Sequence, residues 1–152
     1  YFVNGCDAFI AMSQTVLSDL KKFTSNNNLL FIPHPIYDIF GNKISKEEAL
    51  NRLKLSNNDR HILFFGFIRK YKGLDLLLQA MADERVKQLN LKLIVAGEFY
   101  EDSAPYEQFI KSSNLTENII LKSEYISKED VATYFCAADM IVQPYITATQ
   151  SG

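Results

Sequence analysis

Two kinds of apolar segment alternate along this chain. Short apolar runs stand at Ala8 to Met12, Leu29 to Ile32, Ile62 to Phe65, Leu91 to Ala96, Ile119 to Leu121 and Met140 to Val142. Runs of this length bounded by turn residues read as buried strands, and LKLIVA at 91–96 reads as one covered on both faces. Between them, apolar residues recur at helical spacing: Val16, Leu17, Leu20 and Phe23; Ala49, Leu50 and Leu53; Leu74, Leu77, Leu78 and Met81; Tyr106, Phe109 and Ile110, with Ser113 on the same inner face; Val131, Tyr134, Phe135 and Ala138. That is the spacing of helices laid on a sheet, and the third of them is expected to run from Gly73 to about Arg85. Ser13, the SKEE and SKED boxes at Ser45 and Ser127, and Ser103 with Pro105 supply helix starts.

From residue 61 onward the order is strand, helix, strand, helix, strand, helix, strand, with short connections. This pattern predicts an α/β fold with a doubly wound, Rossmann-like parallel sheet. Upstream, PHPIYDIFGNK from Pro33 to Lys43 has turn chemistry and no sustained period. It reads as a linker, dividing residues 1–43 from residues 44–152. His34 within it is either a ligand contact or a ring fixed in a rigid turn.

A parallel sheet of this kind binds ligands at the carboxyl ends of its strands, where the winding reverses. Four segments reach that edge: Gly66 to Gly73, Gly97-Glu98, Glu124 to Ile126 and Pro144 to Gly152. The first carries Arg69, Lys70 and Lys72 between two glycines and opens a helix. Glycine lets backbone approach a ligand, and cations beside a helix N-terminus suit an anion such as a diphosphate. The competing reading is a solvated basic turn after a buried strand.

Composition narrows the class. The 152 residues are 47% hydrophobic and 22% charged with a net charge of -2, ordinary for a globular protein and unlike a nucleic-acid binder with a basic face. Cys6 and Cys136 have neither disulfide-framework nor metal-ligand spacing, and no apolar run reaches the ~18 residues of a membrane span. The turn after the first of the four later strands lacks G-x-G-x-x-G, which counts against a dinucleotide oxidoreductase. With Tyr1 in place of an initiator Met and an end in a loop at Ser151-Gly152, the chain reads as a fragment of a longer protein.

FFGFIRKYKGLDLLLQA, LKLIVAGE, EYISKEDVATYFCAADMIVQPY and TATQSG, in this order, resemble the carboxyl-terminal half of family-4 glycosyltransferases with the GT-B fold. Upstream, DAFIAMSQTVLSDL and FIPHPIYDIF are similar to the end of the amino-terminal, acceptor-side domain and its linker. The resemblance implies a donor-binding domain at 44–152, truncated at its carboxyl end. It implies a retaining transfer of a sugar from a UDP-, GDP- or ADP-linked donor to a glycan or lipid-linked acceptor, with no cofactor and no metal.

By the same resemblance, Gly66, Arg69 and Lys72 hold the donor diphosphate; Gly97, Tyr125 and Ile126 frame the base and ribose; and Thr149, Ser151 and Gly152 lie by the distal phosphate and sugar. The parent protein is expected in the cytoplasm, at the inner face of a membrane, in polysaccharide or lipid-linked glycan synthesis. Peripheral membrane contact would come through the missing domain. Two departures stand out. Many members have Arg directly after the glycine, whereas Phe67 and Ile68 intervene here, and the first of the family's two glutamates falls at Ala148 or Thr149, neither acidic. The catalytic residues are therefore left unassigned, and a non-catalytic nucleotide-binding or protein-interaction module is the alternative; the isolated fragment is expected to be inactive because most of the acceptor-side domain is missing.

Overall fold

A computed structural model of the chain describes residues 3–147, which form two compact units, 3–37 and 38–147. The first opens with a 3-10 turn, Val3–Gly5, followed by β1 (Phe9–Ala11), α1 (Gln14–Phe23) and β2 (Leu29–Phe31). β1 and β2 pair in parallel with Phe9 opposite Leu29. Ser13 caps α1, its Oγ accepting from the Val16 N–H at 3.1 Å. Two three-residue strands give little cover: no residue of α1 is buried and Phe23 is 73% exposed, although its spacing places it on the apolar face.

The second unit begins with α2 (Lys46–Leu53), capped by the Ser45 hydroxyl on the Glu48 N–H. It continues through β3 (Arg60–Phe65), a 3-10 turn at Lys70–Lys72, α3 (Leu74–Ala82), α4 (Glu84–Lys87) and β4 (Leu91–Ala96). α5 (Ala104–Ser112), β5 (Ile119–Lys122), α6 (Lys128–Ala137) and β6 (Met140–Ile141) complete it. The helix expected from Gly73 to about Arg85 is broken because Asp83 leaves it in an extended conformation (φ -66°, ψ 132°). Its carboxylate accepts from the Arg85 N–H and so starts α4.

The sheet order is β5-β4-β3-β6, every pair parallel. The chain adds β4 and β5 on one side of β3 and then returns to place β6 on the other, so the winding reverses between β3 and β6. This is the doubly wound α/β fold the pattern predicts. Side chains alternate between two covered faces. Ile62, Phe64, Leu93 and Val95 meet Leu74, Leu77, Leu78 and Met81 of α3 and Ile110 of α5. Leu63, Ile94 and Ala96 meet Tyr134 of α6 on the other face, and Ala49 and Leu50 of α2 join Ala137 of α6 behind it. Each fully buried aliphatic side chain stabilises the unit by about 1.5–3 kcal/mol. Phe135 departs from the expected inward face: it is 40% exposed, its ring 4.9 Å from that of Phe65.

At the amino ends of the strands one network ties three elements together. Asp139, just before β6, accepts from the His61 N–H at 2.8 Å through Oδ2 and from Lys46 Nζ at 2.5 Å through Oδ1. Its own N–H donates to the His61 carbonyl at 2.7 Å. Among the described residues no helix is long and apolar enough to cross a membrane.

Candidate functional site

Parallel register brings Phe65, Ala96 and Lys122 to one edge, where the connecting loops continue the ladder. Gly66 N–H donates to Ala96 O at 2.9 Å, Ile68 N–H to Glu98 O at 2.8 Å, and Tyr100 N–H to Ile68 O at 3.1 Å. Ile68 is wholly buried and bridges Phe99. An apolar plug at this position pulls the loop inward, and the chain re-emerges at Arg69.

The two loops touch backbone to backbone at the glycines. Gly97 has φ +144°, and a Cβ there would lie 2.2 Å from the Gly66 carbonyl oxygen. Only glycine permits this approach. A second such lock joins the 3-10 turn to the segment after β6, since a Cβ on Gly73 (φ +73°) would lie 2.1 Å from the Pro144 carbonyl oxygen. The Ile146 N–H donates to Tyr71 O at 2.8 Å across the same junction.

Beside the glycine contact is a pocket of about 180 Å³, lined among others by Phe40, Phe65, Gly66, Gly97, Tyr125 and Ile126. Of the residues assigned from the sequence, it unites Gly66 with Gly97, Tyr125 and Ile126. Tyr125 stands 68% exposed at the rim, while Ile126 is partly buried against the cluster of Leu63, Ile94, Ala96 and Tyr134. Lys72, half-buried, belongs here too: its Nζ lies 3.0 Å from the point a Gly66 Cβ would occupy. Arg69 is placed differently, with its guanidinium carbon 4.9 Å from the centre of the Tyr100 ring. Thr149, Ser151 and Gly152 lie outside the described residues.

The pocket walls are chiefly aromatic and aliphatic, with one acid, Glu98, and one base, Lys128, and the cationic seat adjoins them through Gly66. A flat apolar ring attached to an anion matches that arrangement. A larger hollow, about 400 Å³ between α3 and α5, is lined by Lys70, Asp75, Glu101, Asp102 and Tyr106. Three carboxylates repel an anionic ligand there, so chemistry decides against size. Burial, and then a hydrogen bond to Glu101, push the Tyr106 hydroxyl well above the usual phenol range.

Sequence reasoning did not find Phe40, Tyr100 or Tyr145. Phe40 was absorbed into the linker, yet it lines the pocket. Tyr100 and Tyr145 each carry a cation of the basic loop on their rings, Arg69 on the first and Lys72 on the second. Aromatic residues in the polar turns at the ligand-bearing edge were the available signal.

A doubly wound sheet takes its ligands at the carboxyl edge, and here that edge carries an aromatic pocket with Lys72 beside it. The chain belongs to the glycosyl transferases group 1 family, whose model matches residues 45–149. It is 27% identical over 142 residues to the uncharacterized glycosyltransferase YqgM of Bacillus subtilis (strain 168), covering 93% of this chain and 36% of that protein. It therefore spans little more than a third of the length of that relative.

Solved structures similar to it are GT-B glycosyltransferases. A glycosyltransferase from Rickettsia africae superposes with a TM-score of 0.78 at 17% identity, over 92% of this chain and 38% of that one. Anabaena Alr3699/HepE, determined in complex with UDP and glucose, gives 0.71 at 18% identity, again over 92% and 38%. At these identities the likeness establishes the fold.

Proposed function

We propose that this chain carries the donor-binding site of a retaining, family-4 glycosyltransferase using a nucleotide-diphosphate sugar. The observation that carries the reading is the apposition of Lys72 Nζ, the Gly66 turn and the pocket under Tyr125 and Ile126. In this reading the base enters the pocket between Phe65, Tyr125 and Ile126. The diphosphate lies at Gly66 under Lys72, near the amino end of α3, whose dipole favours negative charge. Arg69, one residue before the 3-10 turn, supplies the second cation. Thr149, Ser151 and Gly152 are assigned to the distal phosphate and sugar by resemblance.

The chemistry that follows is electrostatic and positional. As the sugar–phosphate bond breaks, charge builds on the departing nucleotide diphosphate, and fixed cations stabilise it there. The acceptor, a glycan or a lipid-linked glycan, is held against the anomeric carbon by the rest of the parent protein. UDP in the Anabaena complex supports a nucleotide diphosphate as ligand. Residues 1–43 are assigned to the acceptor-side domain and linker, residues 44–152 to the donor domain, and the parent to the cytoplasmic face of a membrane. The chain alone is expected to bind a donor without transferring it.

Calorimetric titration of the chain with UDP, GDP and ADP, beside an Arg69→Ala/Lys72→Ala variant, tests this. Saturable binding of at least one nucleotide, weakened at least tenfold in the variant, is expected, since charge-assisted contacts to phosphate exceed about 1.4 kcal/mol in sum. Absence of binding by all three, or equal binding by the variant, overturns the assignment. The non-acidic Ala148 and Thr149 favour a second reading, a nucleotide-binding module without catalysis. A parent protein that binds the nucleotide sugar yet neither transfers nor hydrolyses it would establish that reading.

A further inference from the structure

Lys72 does not reach its position by its own backbone alone. It ends a three-residue 3-10 turn, and a short turn on a sheet edge leaves a long flexible side chain free to point into solvent. Two contacts from the segment after β6 restrict it. Pro144 O sits against Gly73, and Ile146 N–H bonds Tyr71 O, which fixes the turn from below. The Tyr145 ring then faces the ammonium, with Lys72 Nζ 5.7 Å from its centroid. Tyr145 is held in turn by Tyr71, their ring centres 6.0 Å apart at an interplanar angle of 68°.

We propose that Tyr145 is a positioning residue for diphosphate binding, holding the Lys72 ammonium over Gly66 through the face of its ring. The proposal rests on the reading of Gly66 and Lys72 as the diphosphate seat. The ring attracts the cation by its quadrupole, within the range of about 6 Å over which such contacts act. A single face of contact leaves the remaining N–H donors of the ammonium directed away from the ring, available to an anion. Pre-ordering the lysine removes part of the entropy that ordering it at the moment of binding would cost. The residue acts through Lys72 and needs no contact with the ligand.

The two tyrosines divide the basic loop. Tyr100, after β4, carries Arg69, and Tyr145, after β6, carries Lys72. Of the two, Lys72 is the cation beside a glycine that admits a ligand to the backbone, so Tyr145 rather than Tyr100 is the residue expected to govern affinity.

A double-mutant cycle on UDP binding tests the proposal, with each variant's melting temperature measured alongside. Tyr145→Leu keeps an apolar side chain and loses the ring; it is expected to weaken UDP about three- to tenfold. Tyr145→Phe keeps the ring and is expected to stay within about twofold of the parent. In a Lys72→Ala background, Tyr145→Leu is expected to add less than about twofold, because its target is gone. Full affinity in Tyr145→Leu, an equal loss in Tyr145→Phe, or an undiminished loss in the Lys72→Ala background would each overturn the proposal while leaving the diphosphate seat standing. Failure of the unsubstituted chain to bind any of UDP, GDP and ADP, or unchanged binding by Lys72→Ala, would overturn the seat itself and the proposal with it; if GDP or ADP is the nucleotide bound, the cycle is run with that one.

Discussion

Gly97→Ala probes the contact on which the pocket is built. The backbone there has φ +144°, a conformation nearly closed to other residues, and holding alanine in it costs about 1–3 kcal/mol. The new Cβ would stand 2.2 Å from Gly66 O and 2.7 Å from Gly66 C, both backbone atoms with no rotamer to escape into. The two loops would have to part by roughly an ångström, at an overpacking cost of about 1–3 kcal/mol. The sum, about 2–6 kcal/mol, corresponds to a fall in Tm of roughly 8–24 °C for the unit spanning residues 38–147. Gly41→Ala is the matched control: its φ of +82° is also positive, but nothing lies within 4 Å of a Cβ there. It should lose only the backbone share, about 1–2 kcal/mol. Thermal and urea unfolding of both variants measure the difference. If Gly97→Ala is no less stable than Gly41→Ala, the Gly66–Gly97 approach is not a structural constraint and the reasoning fails.

Three further substitutions test the opposite edge of the sheet. His61 is 1% exposed, and burial holds its pKa below the ordinary 6.5 despite Asp59 and Asp139 nearby. The unfolded chain therefore takes up this proton first as pH falls past about 6.5; stability is full above that pH and declines below it. Tm measured between about pH 7.5 and 5 should fall less steeply in His61→Leu than in the parent, and parallel curves would contradict this. Asp139→Ala leaves the His61 N–H without its acceptor and should cost about 1–3 kcal/mol in urea unfolding. Lys46→Ala, which removes only an ion pair with both partners about 40% exposed, should cost less than about 1 kcal/mol; the reverse order would refute the assignment.

The sheet was legible because each strand is a compact apolar run and α2, α3, α5 and α6 repeat their apolar residues at helical spacing. Leu74, Leu77, Leu78 and Met81 reach the core as that spacing requires. Spacing says nothing about cover, and for this reason Phe23 and Phe135 lie exposed. Nor does it register a local competitor such as Asp83, whose carboxylate captures the Arg85 N–H and ends the helix early. The convergence of Gly66, Gly97, Tyr125 and Ile126 on one pocket was legible because strand ends converge in any parallel sheet. The tyrosine beneath each cation was not. Arg69 meets Tyr100 and Lys72 meets Tyr145 only through the β3–β4 and β3–β6 neighbour relations, which apolar periodicity does not encode.

Backbone amide chemical shifts recorded while UDP is added to the isotopically labelled chain test the central claim most directly. The account predicts saturable shifts at Gly66, Lys72, Gly97, Tyr125 and Ile126, with Asn58 to Arg60 and Gln88 to Lys92 at the far edge unmoved. Shifts confined to the α3–α5 hollow, around Asp75, Glu101 and Tyr106, or spread over the far edge would contradict it.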